Sequence, residues 1–160
     1  MECDGIELAE WYDNLQYKIK TVKHLRIAIN QTTHSLEQKA YHNNLAYLAG
    51  YPLEFLLKIA TCLAGDFQKG HIGDNKIERF DFYRETVLKK RAANLLNITK
   101  LRQLGLAQFN VNKFRYNATS TYRDYGYSSI TDLITDLDEI QKEANRIKKK
   151  YLSSFARKTP

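Results

Sequence analysis

The 160-residue chain contains little cysteine, proline or glycine, with two, two and seven of these residues respectively. Cys3 and Cys62 form no CxxC pair and are too few for a disulfide-rich scaffold, which favours a reduced, intracellular setting. The scarcity of proline and glycine argues against an all-β protein with many tight turns. The chain also lacks an apolar run of the roughly 20 residues that span a bilayer.

Sequence signatures of catalysis and of metal binding are absent as well. The chain contains no HExxH, GxSxG, P-loop or GxGxxG motif. Its four histidines do not have the spacing of metal ligands. The carboxylates of residues 132–139 suit the N-terminal end of a helix better than a divalent ion. We therefore expect a protein that is not an enzyme and that needs no cofactor or metal.

The remaining composition is that of a folded protein. The chain is 43% apolar and 12% aromatic, which excludes a compositionally disordered protein. Its acidic start, MECDGIELAEW, lacks the apolar region of a signal peptide. The length suits one domain. We expect a cytoplasmic, single-domain protein (residues 1–160), with a near-neutral half (7–75) and a basic half (76–160).

Apolar residues recur at helical spacing along most of the chain, which predicts an all-α, single-domain bundle of about five to six helices. Ser35 with Gln38 predicts a capping box, and Asn97 and Ser129 predict N-caps. The sequence Gly50-Tyr51-Pro52 is typical of one helix ending and the next beginning. The predicted helices span residues 7–30, 35–49, 52–65, 76–96, 98–109 and 130–151.

Three segments have more specific predictions. The helix over 52–65 is apolar almost all round, so we expect it at the centre of the bundle. The long C-terminal helix has a heptad stripe from Ile130 to Tyr151, which suits packing in the bundle or against a partner helix. Residues 110–127 are rich in Tyr and Asn without a helical stripe. This predicts a long ordered loop, with a short hairpin as the alternative.

The net charge of +7 is distributed in four blocks along the chain. Residues 1–75 sum to −2, residues 76–123 to +8, residues 124–140 to −5 and residues 141–160 to +6. The +8 block is also rich in Phe, Tyr and Asn, and cations beside aromatic rings are typical of surfaces that bind nucleic acid. Carboxylates at intrahelical spacing neutralise few of its cations.

We predict that these cations and two tyrosines bind RNA or single-stranded DNA through the phosphate backbone, without reading its sequence. The predicted contacts in the +8 block are Lys76, Arg79, Arg84, Lys89, Lys90, Arg91, Lys100, Arg102, Lys113, Arg115, Tyr116, Tyr122 and Arg123. Those on the last helix are Lys142, Arg146, Lys149 and Lys150. The alternatives are that Arg84 and Arg91 lie at the core edge, that the aromatic rings of 109–127 pack onto the bundle, and that the last helix has a solvated face.

The blocks KKRAANLL (89–96) and KFRYN (113–117), together with the terminal heptad helix, are basic and helical in a small chain. In this overall character, over residues 7–158, the chain resembles the small subunits of CRISPR effector complexes. The resemblance implies a non-catalytic helical subunit of a ribonucleoprotein complex in antiviral defence, packed against other subunits or copies of itself. One alternative is an adaptor that binds a partner protein through the heptad helix. Another is a helical nuclease or toxin whose site the sequence hides.

Overall fold

The computed structural model describes residues 5–65, 94–109 and 111–155. The described residues are all-helical, which confirms the predicted class. Four of the described α-helices have 13 residues or more, whereas five to six helices are predicted for the whole chain. The α-helices are α1 (Gly5–Gln31), α2 (Ser35–Ala49), α3 (Tyr51–Leu63), α4 (Ile98–Gln103), α5 (Val111–Tyr116) and α6 (Ile130–Lys150), and 3₁₀ helices span Gly105–Gln108, Tyr122–Tyr125 and Leu152–Phe155.

Helix α1 is the element against which the other long helices pack, since it contacts α2, α3 and α6. A three-residue connection, Thr32–His34, folds α2 back against it. The large buried residues of α1 follow the predicted three- and four-residue spacing, which places them on one face. They are Leu8, Leu15, Ile19, Val22 and Ile29, and the smaller Ala9 is buried as well.

Helix α3 lies in the core, as its apolar composition predicts. Nine of its 13 residues are buried, including the ion pair between Glu54 and Lys58, whose charged atoms are 3.1 Å apart.

Cys62, near the end of this helix, is half-buried and disulfide-bonded. This bond disagrees with the reduced setting that the low cysteine count favours. The predicted helix over 76–96 falls mainly outside the described residues.

Helix α6 uses its heptad stripe inside this chain. Leu133, Leu137, Ile140 and Ile147 are completely buried, and the helix packs against α1 and α3. This confirms packing within the bundle. The chain's own core covers these four side chains, so they do not form the exposed stripe that binding to a partner helix requires.

A row of polar contacts runs along the edge between α1 and α6. The Tyr12 hydroxyl donates to Asn145 Oδ1 at 2.5 Å, and Lys23 Nζ lies 2.7 Å from a carboxylate oxygen of Asp138. The contact position advances along α1 as it recedes along α6, so the two helices are antiparallel. No described helix is both long enough and apolar enough to cross a membrane.

Two of the three predicted helix caps are confirmed. The side chains of Asn97 and Ser129 each accept a hydrogen bond of 3.2 Å from the backbone N–H three residues later. The capping box of Ser35 and Gln38 is wrong, because α2 begins with Ser35 itself. The Gln38 amide instead donates to the carbonyl of Thr32 at 2.7 Å, so it ties the turn between α1 and α2 to the start of α2.

Gly50 separates α2 from α3, as predicted, but its conformation is not left-handed. Its φ is −75° and its ψ is −27°, which any residue adopts. A Cβ atom at this position would lie 2.1 Å from Cδ2 of Phe109. Glycine is therefore required here because the Phe109 ring packs directly on the backbone.

The predicted loop over 110–127 is wrong, and so is the hairpin alternative. Residues 111–116 form α5, and a turn leads to the 3₁₀ helix Tyr122–Tyr125. Thr121 and Asp124 form a capping box at the start of this helix, and Gly126, with φ of +89°, ends it. The predicted helix over 98–109 is also shorter, because α4 ends at Gln103 and a 3₁₀ helix follows.

Candidate nucleic-acid interface

The predicted contact residues lie in different parts of the described structure, and some lie outside it. Those outside the described residues are Lys76, Arg79, Arg84, Lys89, Lys90 and Arg91. Arg102 belongs to α4 and Arg115 to α5, but the description does not extend to their side chains. The remaining residues fall at the edge between α4 and α6, at the end of α6, and on the segment from α5 to the second 3₁₀ helix.

Cations at the edge between α4 and α6 are paired with carboxylates. Lys100 and Lys142 both bind Glu139, the latter at 3.2 Å, and Arg146 binds Glu143. Together with neighbouring side chains, most of these groups line a cavity of about 80 Å³. Hydrogen bonds from Lys100 and then Lys142 lower the pKa of Glu139. The structure brings these cations together, but around counter-charges that reduce their attraction for a polyanion.

The acidic block, residues 124–140, supplies part of the counter-charge for the basic block. Asp124 lies 3.5 Å from Lys113, and Glu139 binds Lys100. The expectation that this block mainly suits a helix start holds for Asp132, in the first turn of α6. It fails for Asp124 and Glu139. They neutralise cations of the basic block across elements, which intrahelical spacing does not reveal.

Three of the aromatic rings in the segment from Phe109 to Tyr127 belong to the core. Phe109, Phe114 and Tyr125 are at most 3% exposed. The ring centroids of Phe114 and Tyr125 are 4.3 Å apart in a stacked arrangement. The Tyr125 hydroxyl donates to the carbonyl of Ala46 at 2.5 Å, and burial raises the pKa of this hydroxyl. For these rings the packing alternative is confirmed.

Tyr127 also has a structural role, at the start of α6. Its half-buried hydroxyl donates to Asp136 and accepts the backbone N–H of Leu106 at 2.9 Å. Burial, followed by the hydrogen bond with Asp136, raises the pKa of this tyrosine. Asp136 also accepts from the backbone N–H of Gly105. This carboxylate is therefore engaged in holding the first 3₁₀ helix against α6.

The two tyrosines that were predicted to contact nucleic acid differ from these rings. Tyr116, at the end of α5, is 74% exposed, and Tyr122 is half-buried. The guanidinium carbon of Arg123 lies 5.6 Å from the ring centroid of Tyr122. Arg123 itself is exposed and makes no ion pair with a described residue. This segment therefore presents an exposed ring and a cation that retains its charge.

Helix α2 fixes the turn between these two tyrosines. The side-chain amide of Asn43 donates to the carbonyls of Asn117 at 2.8 Å and Ser120 at 3.3 Å. The Ser120 hydroxyl donates to the carbonyl of Lys113 at 3.1 Å, which closes the turn onto α5. The turn thus has a defined backbone although it lies at the surface.

The same face of α2 contributes two side chains to this surface. The His42 ring lies 6.0 Å from that of Tyr122, and exposed Lys39 lies one helical turn earlier on the face of Asn43. Burial, and then the charge of Arg123, lower the pKa of His42. We call the group Lys39, His42, Tyr116, Tyr122 and Arg123 the Tyr116 surface.

Sequence reasoning missed Lys39 and His42. They belong to the near-neutral half of the chain, where the block charge of −2 conceals isolated cations. About 80 residues separate His42 from Tyr122, and spacing rules act only over a few residues of a helix. The sequence holds no direct signal that joins these two segments.

At the end of α6, three consecutive lysines contact rings or solvent. Lys148 Nζ lies 4.0 Å from the ring centroid of Tyr12, Lys150 Nζ lies 5.4 Å from that of Tyr151, and Lys149 is exposed. A cation beside an aromatic ring keeps its full positive charge. These lysines therefore differ from the paired cations at the edge between α4 and α6.

The chain matches no known family, no curated protein and no solved structure. Within the described ranges, no group of three or more His, Cys, Asp or Glu side chains is placed to hold a metal ion.

Proposed function

We propose that the protein is a non-catalytic, helical nucleic-acid-binding protein that contacts the phosphate backbone of RNA or single-stranded DNA without reading its sequence. The observation that supports this most is the Tyr116 surface. Exposed Arg123 lies beside the Tyr122 ring, and the exposed Tyr116 ring lies at the other end of the turn 117–120. A guanidinium binds phosphate oxygens bidentately, and aromatic rings stack on unpaired bases. The overall charge of +7 adds attraction at longer range.

The lysines at the end of α6 support the same proposal. Lys148, Lys149 and Lys150 form no ion pair with a described residue and remain available to phosphates. Part of this charge suits the C-terminal end of a helix. Contacts of this kind add affinity without sequence information.

We propose further that the protein acts within a ribonucleoprotein assembly, as the small subunits of CRISPR effector complexes do. Small size, helical architecture and basic surfaces support this. The experiment is purification from the native source followed by nuclease treatment of the bound fraction. Co-purified RNA or DNA with other subunits would support an assembly, whereas a monomer without nucleic acid would contradict it.

The binding proposal is tested by titrating labelled single-stranded RNA and DNA of mixed sequence, followed by fluorescence anisotropy. Between about 50 and 200 mM salt, we expect the logarithm of the association constant to fall linearly with the logarithm of the salt concentration, because bound cations release counterions. Mixed and homopolymeric strands should bind alike. The absence of binding, or a response that salt leaves unchanged, would contradict the proposal.

Two variants compare an unpaired cation with a paired one. Arg123→Ala should weaken binding and reduce the salt slope by about 1, as expected for one lost phosphate contact. Lys142→Ala removes an equal charge, but this lysine is already paired with Glu139. It should change binding less. An equal effect of the two variants would mean that net charge alone, and not the Tyr116 surface, determines binding.

A further inference from the structure

The Tyr116 surface joins groups from two distant parts of the chain. Tyr116 and Arg123 flank the turn 117–120, and Lys39 lies on the helix that holds this turn through Asn43. All three side chains reach solvent, and Tyr116 is the most exposed large hydrophobic residue described. A ring and two cations thus belong to the elements that meet at this turn.

The surface is also preorganised. The amide of Asn43 fixes the backbone of the turn at two carbonyls, and Tyr122 lies beside both the Arg123 guanidinium and the His42 ring. The Phe114 and Tyr125 rings anchor the flanking helices in the core. A ligand that binds here orders few additional groups, which reduces the entropy lost on binding.

We propose that the Tyr116 surface is a site for single-stranded nucleic acid, in which the Tyr116 ring stacks on an unpaired base while Arg123 and Lys39 hold neighbouring phosphates. The inference rests on the proposed function and makes it specific. Tyr122 and His42 are positioning residues that hold Arg123 and the turn. Lys113 plays a smaller part, because Asp124 lies 3.5 Å from it.

The exposed ring favours a single strand over a duplex. A base in a duplex has both faces covered by its neighbours, so a protein ring reaches it only after the base is unstacked or flipped out. Single strands present faces that stack on tyrosine directly. The cations attract both forms, so the tyrosine is the group that distinguishes them.

The test compares Tyr116→Ala and Lys39→Ala with control variants on α1. Tyr17 is 66% exposed and Lys20 is exposed, so Tyr17→Ala and Lys20→Ala remove the same chemical groups elsewhere. Tyr116→Ala should weaken single-strand binding on the order of 5- to 150-fold, the equivalent of about 1–3 kcal/mol for one stacked base. Lys39→Ala should lower the salt slope by about 1. The controls should bind like the wild type.

A second set of titrations uses the same sequence annealed into a duplex, with RNA and DNA strands tested separately. Wild type should bind the single strand more tightly, and Tyr116→Ala should leave duplex binding unchanged. Equal loss on both forms, or equal loss in Tyr17→Ala, would overturn the site. Circular-dichroism melting of each variant shows whether it is folded, and rescue of single-strand binding by Tyr116→Phe separates stacking from folding.

The two proposals fail in different ways. If the wild-type protein binds no nucleic acid, the proposed function is wrong. If it binds in a salt-dependent way while Tyr116→Ala and Lys39→Ala behave like the α1 controls, only the assignment of this site is wrong. Loss of binding in these two variants and in neither control supports both proposals.

Discussion

Gly50→Ala tests the packing of the core, because the backbone conformation and the side-chain packing predict opposite changes in the free energy of unfolding. At φ of −75° and ψ of −27° the backbone accepts alanine without strain. Judged from the backbone alone, the substitution should stabilise the protein by about 0.4–1 kcal/mol, since alanine restricts the unfolded chain. The new methyl group, however, would lie 2.1 Å from Phe109 Cδ2 and 2.3 Å from its Cγ.

The Phe109 ring cannot move away easily. Its centroid is 5.5 Å from that of Tyr51 and 5.8 Å from that of Phe114, so it is confined by other rings. Ordinary contact would require a shift of more than an ångström. Overpacking of this kind costs typically about 1–3 kcal/mol. The clash outweighs the backbone gain, and we expect a net loss of roughly 1–2 kcal/mol in the free energy of unfolding.

Urea unfolding followed by circular dichroism measures this loss. In a double-mutant cycle, Phe109→Leu should remove most of the penalty of Gly50→Ala, because the two changes act on one contact. Gly126→Ala is the control: a Cβ there meets nothing within 4 Å, so its cost is that of φ at +89° and should not depend on Phe109. A more stable Gly50→Ala variant would refute the packing described at this position.

Two further predictions concern stability. Tyr125→Phe should lower the free energy of unfolding by about 1–3 kcal/mol, because the buried carbonyl of Ala46 loses its donor. In thermal melts Tyr122→Phe, at a half-buried ring, should change little, and equal losses would contradict the role of Tyr125. His42 has a pKa below its ordinary value of 6.5, so the unfolded chain takes up its proton first. Stability should fall as the pH drops through 6.5 toward the folded pKa, and urea titrations should show a smaller fall for His42→Gln. A fall of the same size in that variant would assign it to other groups.

The long helices were predictable because each presents a buried face over several turns. α1, α2, α3 and α6 begin and end within about two residues of the predicted bounds. The segment from α5 to Tyr125 was not, since its helices have six and four residues. Such short helices have no periodicity to read and depend on tertiary contacts such as the stacking of Phe114 on Tyr125.

The charge blocks can be read from the sequence, but they do not show which cations are neutralised in the folded protein. The basic block has too few carboxylates at helical spacing, but the fold places Asp124 beside Lys113 and Glu139 beside Lys100. Lys23 and Asp138 are 115 residues apart and form an ion pair. Only the fold shows which cations keep their charge, and Arg123 and Lys149 are among them.

The attachment of the 117–120 turn to α2 has a consequence for evolution. Asn43 binds the turn through backbone carbonyls, which every residue possesses. Exposed Ala118 can therefore be exchanged for other residues while the turn keeps its position. Evolution can therefore vary the surface next to Tyr116, and with it the ligand that this surface binds, as long as Asn43 and the core rings of Phe114 and Tyr125 are retained.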